Sequence, residues 1–104
     1  MSTRDLTIKT GVLKRTLKEK DYYNKEKKSQ EDRITKMIED GSDEYDIKKQ
    51  REVLQETLDM LPDVDRRLKS AQFDLENLVA NAGDDLKQTS EYEKAVQDLE
   101  ALKA

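Results

Sequence analysis

Cysteine and histidine are both absent from this 104-residue chain, proline occurs once and glycine three times. Without cysteine there is no disulfide framework and no thiolate metal site, which fits a reducing compartment. Without histidine the commonest metal ligand and general base is missing. Nucleophilic catalysis is left with Ser or Thr and a Lys base. Glycine and proline are too scarce to punctuate strands and tight turns. No apolar run approaches the roughly 20 residues of a membrane-spanning helix. The N-terminal MSTRDLTIKTG lacks the apolar core of a secretory signal. These absences predict a cytoplasmic protein that is not an enzyme, holds no metal or other cofactor and does not enter membranes.

Charge and leucine are what the chain does have. Charged residues make up 42% of it and the hydrophobic set 34%. Leu, Ile, Val and Phe number 12, 4, 5 and 1, just above the roughly 20% level where disorder sets in. A thick globular core is out of reach, but long helices joined by a narrow apolar seam need fewer apolar residues. The net charge of −4 argues against nucleic acid, which asks for a basic face. Locally the balance differs. Lys14 to Lys28 holds seven basic and three acidic residues, whereas Asn81 to Ala104 holds three basic and six acidic ones.

Ile47, Leu54, Leu61, Leu68, Leu75 and Ala82 fall at steps of seven, and Val64, Ala71 and Leu78 add the +3 position. This coiled-coil spacing predicts one helix from about Asp43 to about Ala82, roughly 60 Å long at 1.5 Å per residue. Pro62 lies midway without disturbing the register, so it predicts a kink rather than a terminus. Upstream, Leu6, Leu13, Leu17, Tyr23, Ile34, Met37 and Ile38 recur near helical spacing over Arg4 to Glu39. Gly11 inside that helix costs about 1 kcal/mol relative to Ala, which close packing at that point would explain. The segment EDGSDEYD supplies a terminating Gly41, then Ser or Asp to cap the next helix. NAGDD breaks the second helix at Gly83. Ser90 and Glu93 fit a capping box, followed by Tyr92, Ala95, Val96, Leu99 and Leu102 on one face.

Short connections force antiparallel neighbours. The expected fold is all-α: a single domain over 1–104, an antiparallel, spectrin-like up-down-up three-helix bundle. It has two long helices, a shorter third and a proline kink in the second. With the first pair folded about residues 41–42, the third helix returns from about 84–90 and covers the second only back to about residues 62–70. The end holding Tyr22 to Ile38 and Tyr45 to Leu61 stays uncovered.

Recognition by helix surfaces is the function class left open. DGSDEYD does not match the ligand spacing of a calcium loop. Carboxylates abound, but a thin bundle offers no enclosed cavity to perturb them. At the uncovered end Tyr45 offers a ring with a polar tip, Lys48 and Lys49 offer charge, and Ile47 faces the seam. Tyr22 and Tyr23 point about 100° apart on a helix, so one can pack on the seam while the other meets a partner. The alternative reading is a generic coiled-coil interaction module or tether, homo- or hetero-oligomeric, because regular heptads can also join two chains.

IKTGVLKRTLKEKDYYNKE (Ile8 to Glu26) and YDIKKQREVLQETLDMLPDVDRRL (Tyr45 to Leu68) resemble the tubulin-folding cofactor A family. YDIKKQ, LQE at Leu54, LPD at Leu61 and RRL at Arg66 keep the family's spacing. The resemblance implies a helical bundle that binds and holds β-tubulin, as a folding intermediate or free subunit, before αβ-heterodimer assembly. It implies no nucleotide or metal, a cytoplasmic, cytoskeleton-associated setting, other tubulin-folding cofactors as further partners, and a monomer or homodimer. Tyr45, Asp46, Ile47, Lys48, Lys49, Gln50, Pro62 and Asp63 carry over as motif positions. With Tyr22 and Tyr23 they form the candidate partner-binding set.

Overall fold

The computed structural model describes residues 2–103. Among them the chain is all-α: α1 Thr3–Glu39, α2 Glu44–Ala80, α3 Asp84–Lys87 and α4 Ser90–Ala101. The bounds of the two long helices lie within two residues of those expected. The sequence predicts three helices. The additional one, α3, is a single turn in the connection between α2 and α4.

Local hydrogen bonds explain where the helices stop. Gly41 adopts a left-handed φ of 72°. Its N–H bonds the Ile38 carbonyl at 3.2 Å, and the Ser42 N–H bonds that of Met37 at 2.9 Å. This is a Schellman termination of α1. Asp43 Oδ1 then accepts from the Tyr45 N–H at 3.2 Å and opens α2. Pro62 lies inside α2, which continues to Ala80. At the end of α2, Asn77 O accepts from the Asn81 backbone N–H at 3.1 Å and from its Nδ2 at 2.8 Å. The cap of α4 corrects the expected Ser90–Glu93 box. Thr89 caps the helix, its hydroxyl accepting from the Tyr92 N–H at 3.2 Å and donating to Leu86 O at 2.7 Å.

The chain divides into two compact units, one being Glu19–Asp65 and the other everything up to Lys18 with everything from Arg66 on. The second of these, which includes α3 and α4, holds the main core. Leu6 and Leu13 of α1, Leu68, Ala71 and Leu75 of α2, and Ala95 and Leu99 of α4 form one buried cluster. Leu6, Leu13 and Leu75 are fully enclosed, each worth about 1.5–3 kcal/mol of transfer free energy. Tyr92 and Leu102 border the cluster. Lys9 pairs with Asp74 and Lys14 with Asp98, each at 3.5 Å with part of the side chains exposed, so each adds little. Gly11 is not a point of close approach: a Cβ there meets only the end of Arg15, at 3.9 Å.

The Glu19–Asp65 unit is a two-helix hairpin. Lys20 of α1 reaches Asp65 of α2 at 3.0 Å. Farther along, Ile34 faces one groove with Arg51, Leu54 and Leu58. Residue order therefore reverses across the seam. The described residues of this unit bury Ile34 and Val64, but also Gln30 and Thr57. Gln30 Nε2 donates to Glu26 at 3.3 Å, yet Gln30 Oε1 and Gln50 Nε2 are buried without a protein partner. A buried polar atom left unpaired costs about 1–3 kcal/mol, so this seam is a weaker join than one of leucines.

Candidate partner-binding site

Every candidate residue from the sequence lies in the hairpin unit. The structure arranges them in two groups rather than one. Near the Lys20–Asp65 pair, Tyr22 and Tyr23 form an edge-on ring pair with centroids 5.3 Å apart and planes at 70°. Tyr22 is 58% exposed and Tyr23 is half-buried, as the 100° offset between adjacent helical positions requires. One residue before Tyr22, Asp21 accepts from Lys25 at 2.8 Å. That hydrogen bond, with Coulombic attraction, raises the pKa of the exposed lysine.

The second group opens α2 beside the Gly41 turn. Tyr45 is 62% exposed, and Lys49 Nζ sits 5.4 Å from its ring centroid. Lys49 also meets Glu52 at 3.8 Å. Asp46 and Lys48 are exposed, Ile47 is half-buried on the seam, and Gln50 turns inward. The tyrosine pair stands about 16 residues of α1, roughly 25 Å, from the turn, so the two groups lie apart along the hairpin. Pro62 is exposed on α2 and Asp63 is half-buried. Asp63 engages another group.

Two features went unread in the sequence. Val53 and Met60 are 42% and 39% exposed. They extend the Tyr45–Lys49 side of α2 at i+8 and i+15, a helical spacing that was available to find them. The other is a groove of about 430 Å³, walled by Glu31, Ile34 and Thr35 of α1 and by Arg51, Leu54, Gln55 and Leu58 of α2. Ile34 and Leu54 belong to the expected seam, but their neighbours at i±3 and i±4 become walls only once the hairpin register is fixed.

The described residues contain no group of three or more His, Cys, Asp or Glu placed to hold a metal ion. No helix among them is long and apolar enough to cross a membrane. What the surface offers a ligand is exposed aromatic and aliphatic area with lysine and arginine at its rim, the chemistry of protein recognition.

Comparison with known proteins identifies the family. The model of the family described as Tubulin binding cofactor A matches residues 1–99. Human Tubulin-specific chaperone A is 47% identical over 100 residues, covering 96% of this chain and 92% of the relative. The crystal structure of tubulin folding cofactor A from Arabidopsis thaliana superposes with a TM-score of 0.88 at 36% identity, covering 97% of this chain and 94% of that one. The structure described as RBL2P, β-tubulin binding post-chaperonin cofactor, gives 0.77 at 35% identity, covering 93% and 95%. With the family's pattern running through nearly all of its length, this chain belongs to the tubulin binding cofactor A family.

Proposed function

We propose that this protein is a non-catalytic tubulin-folding cofactor that binds β-tubulin in the cytoplasm. It holds a folding intermediate or free subunit until the αβ-heterodimer forms, with hand-over to other tubulin-folding cofactors. In this reading α1, α2 and α4 make a single domain, an antiparallel three-helix bundle with α2 kinked at Pro62. The hairpin unit is the part that meets β-tubulin. Tyr22, Tyr23, Tyr45, Asp46, Ile47, Lys48, Lys49, Gln50, Pro62 and Asp63 form or support the contact surface.

One observation carries the reading. Of the seven large apolar residues exposed among the described ones, five (Tyr22, Ile38, Tyr45, Val53 and Met60) lie in the hairpin unit. That unit buries fewer apolar side chains than the other, Ile34 and Val64 among the described residues. Apolar area that the chain leaves uncovered marks an interaction surface, and basic residues beside it favour an acidic rim on the partner. The family relationship supplies the partner's identity. Retention of separated tubulin subunits on the immobilised chain tests this: β-tubulin should be retained and α-tubulin not. Equal retention of both would contradict it.

A further inference from the structure

The start of α4 faces α1 across a pocket of about 420 Å³. Thr10, Gly11 and Lys14 line it from α1, and Ser90, Glu91 and Lys94 from α4. Ser90 is the first residue of α4 after the Thr89 cap. It is exposed, and its hydroxyl takes no part in the cap, whose bonds Thr89 makes. The N–H groups of Ser90 and Glu91 lie in the first turn, where a helix offers them no acceptor. In the same lining Thr10 is only 5% exposed, and its hydroxyl is buried without a partner.

Cations outnumber anions around the Ser90 hydroxyl. Lys94 lies at i+4 from Ser90, on the same face of α4, and forms no ion pair among the described residues. Arg15 is likewise unpaired there, and its guanidinium lies back over Gly11, 3.9 Å from where a Cβ would stand. Lys14 meets Asp98 at 3.5 Å. Among the described residues, Glu91 is the one acidic residue in the lining, and α2 and α3 contribute no charge to it. A helix start with a lysine at i+4 favours a compact group of high negative charge and several acceptor oxygens.

We propose that Ser90 is a phosphorylation site and that this pocket holds its phosphoryl group against Lys94, with Arg15 and Lys14 around it. Glu91 and Glu93 follow Ser90 at +1 and +3, a charge pattern suited to a protein kinase with a basic substrate groove. Ser2 and Ser29 also have an acidic residue at +3. The Ser2 hydroxyl, however, accepts from the Asp5 N–H at 3.3 Å, and Ser29 lies in the interior of α1, away from any free N–H groups. In the transfer the Ser90 oxygen bonds to the γ-phosphorus of a nucleoside triphosphate. The bond from that phosphorus to the β–γ bridging oxygen breaks, the diphosphate leaves with the electron pair, and the hydroxyl proton passes to the kinase's base. The added charge strengthens the seat of α4 on α1. The proposal is independent of the β-tubulin reading.

The test compares the full chain carrying phosphoserine at position 90 with the unmodified chain. Phosphorus NMR follows the phosphoryl group through a pH titration, folded and in urea. Its second pKa, ordinarily about 6, should fall by about half a pH unit on folding. Lys94→Gln/Arg15→Gln should remove half or more of that fall, and Lys69→Gln none of it. A pKa lowered by folding stabilises above its unfolded value, and the gain is lost as pH falls through the folded one. The melting temperature should therefore exceed that of the unmodified chain by about 3 °C at about pH 7.5, and match it at about pH 4.5. Separately, an acidophilic serine kinase with ATP should place phosphate on Ser90 of the unmodified chain, as read by mass spectrometry. Phosphate on Ser2 or Ser29 with none on Ser90, or none at all, overturns the site. An unshifted pKa, or no gain in melting temperature, overturns the role of the pocket. Equal stabilisation of the unmodified chain by millimolar inorganic phosphate assigns the pocket to a free anion and likewise overturns the proposal.

Discussion

Lys49 holds its ammonium nitrogen 5.4 Å from the centroid of the Tyr45 ring, one helical turn back along α2. The same nitrogen lies 3.8 Å from Glu52. A cation–π contact at an exposed site is worth about 0.5–1 kcal/mol, and an exposed ion pair of this kind less. Neither holds the fold. Their effect is to order a lysine and a tyrosine that the chain otherwise leaves in water, and to present them together at the start of α2.

This separates surface from structure in one experiment. Tyr23→Ala combined with Lys48→Glu and Lys49→Glu should lower β-tubulin binding while the far-ultraviolet circular dichroism stays that of the wild type. Loss of helicity would show instead that these residues hold the hairpin together.

Pro62 lies within a continuous α2 and is exposed. Proline inside a helix costs about 3 kcal/mol relative to alanine. Pro62→Ala should therefore raise stability, by up to about that amount, in urea unfolding. A fall in stability would show that the ring itself packs.

The cap of α4 is Thr89, not its neighbour. Thr89→Ala should cost about 1 kcal/mol of stability, and Ser90→Ala only a few tenths. Equal costs would show that the two hydroxyls share the capping role.

Two glycines should respond in opposite directions. Gly11→Ala meets no crowding and should stabilise α1 by up to about 1 kcal/mol. Gly41→Ala puts a Cβ on a backbone with φ of 72° and should destabilise by about 1–2 kcal/mol. Chemical denaturation of the two variants beside the wild type reads both signs.

The long helices were legible in the sequence because each has a seam repeated over many turns, and because Gly41 stops the first where that seam ends. α3 was not, since a single turn has no periodicity to read. The cap was misplaced by one residue because Thr89 and Ser90 are adjacent and both able to cap, and only the path of the chain selects between them. Thr10, Thr16, Gln30 and Thr57 are buried polar residues that a search for apolar spacing passes over. Thr16 is accommodated by donating to Val12 O at 2.8 Å within its own helix. The candidate tyrosines and the YDIKKQ segment were found individually, but their separation depended on where Tyr22 sits along α1 relative to the turn. The groove escaped notice because its walls come from two helices distant in sequence.

Backbone amide hydrogen exchange of the full chain, alone and saturated with β-tubulin, tests the central claim most directly. Alone, residues 19–65 should exchange faster than the leucine-cored unit, because local opening is governed by how little apolar burial resists it. With β-tubulin bound, the slowing should be concentrated in 19–65, on both arms of the hairpin. Slowing confined to α4 and the helix faces around it, with 19–65 unchanged, would contradict the account.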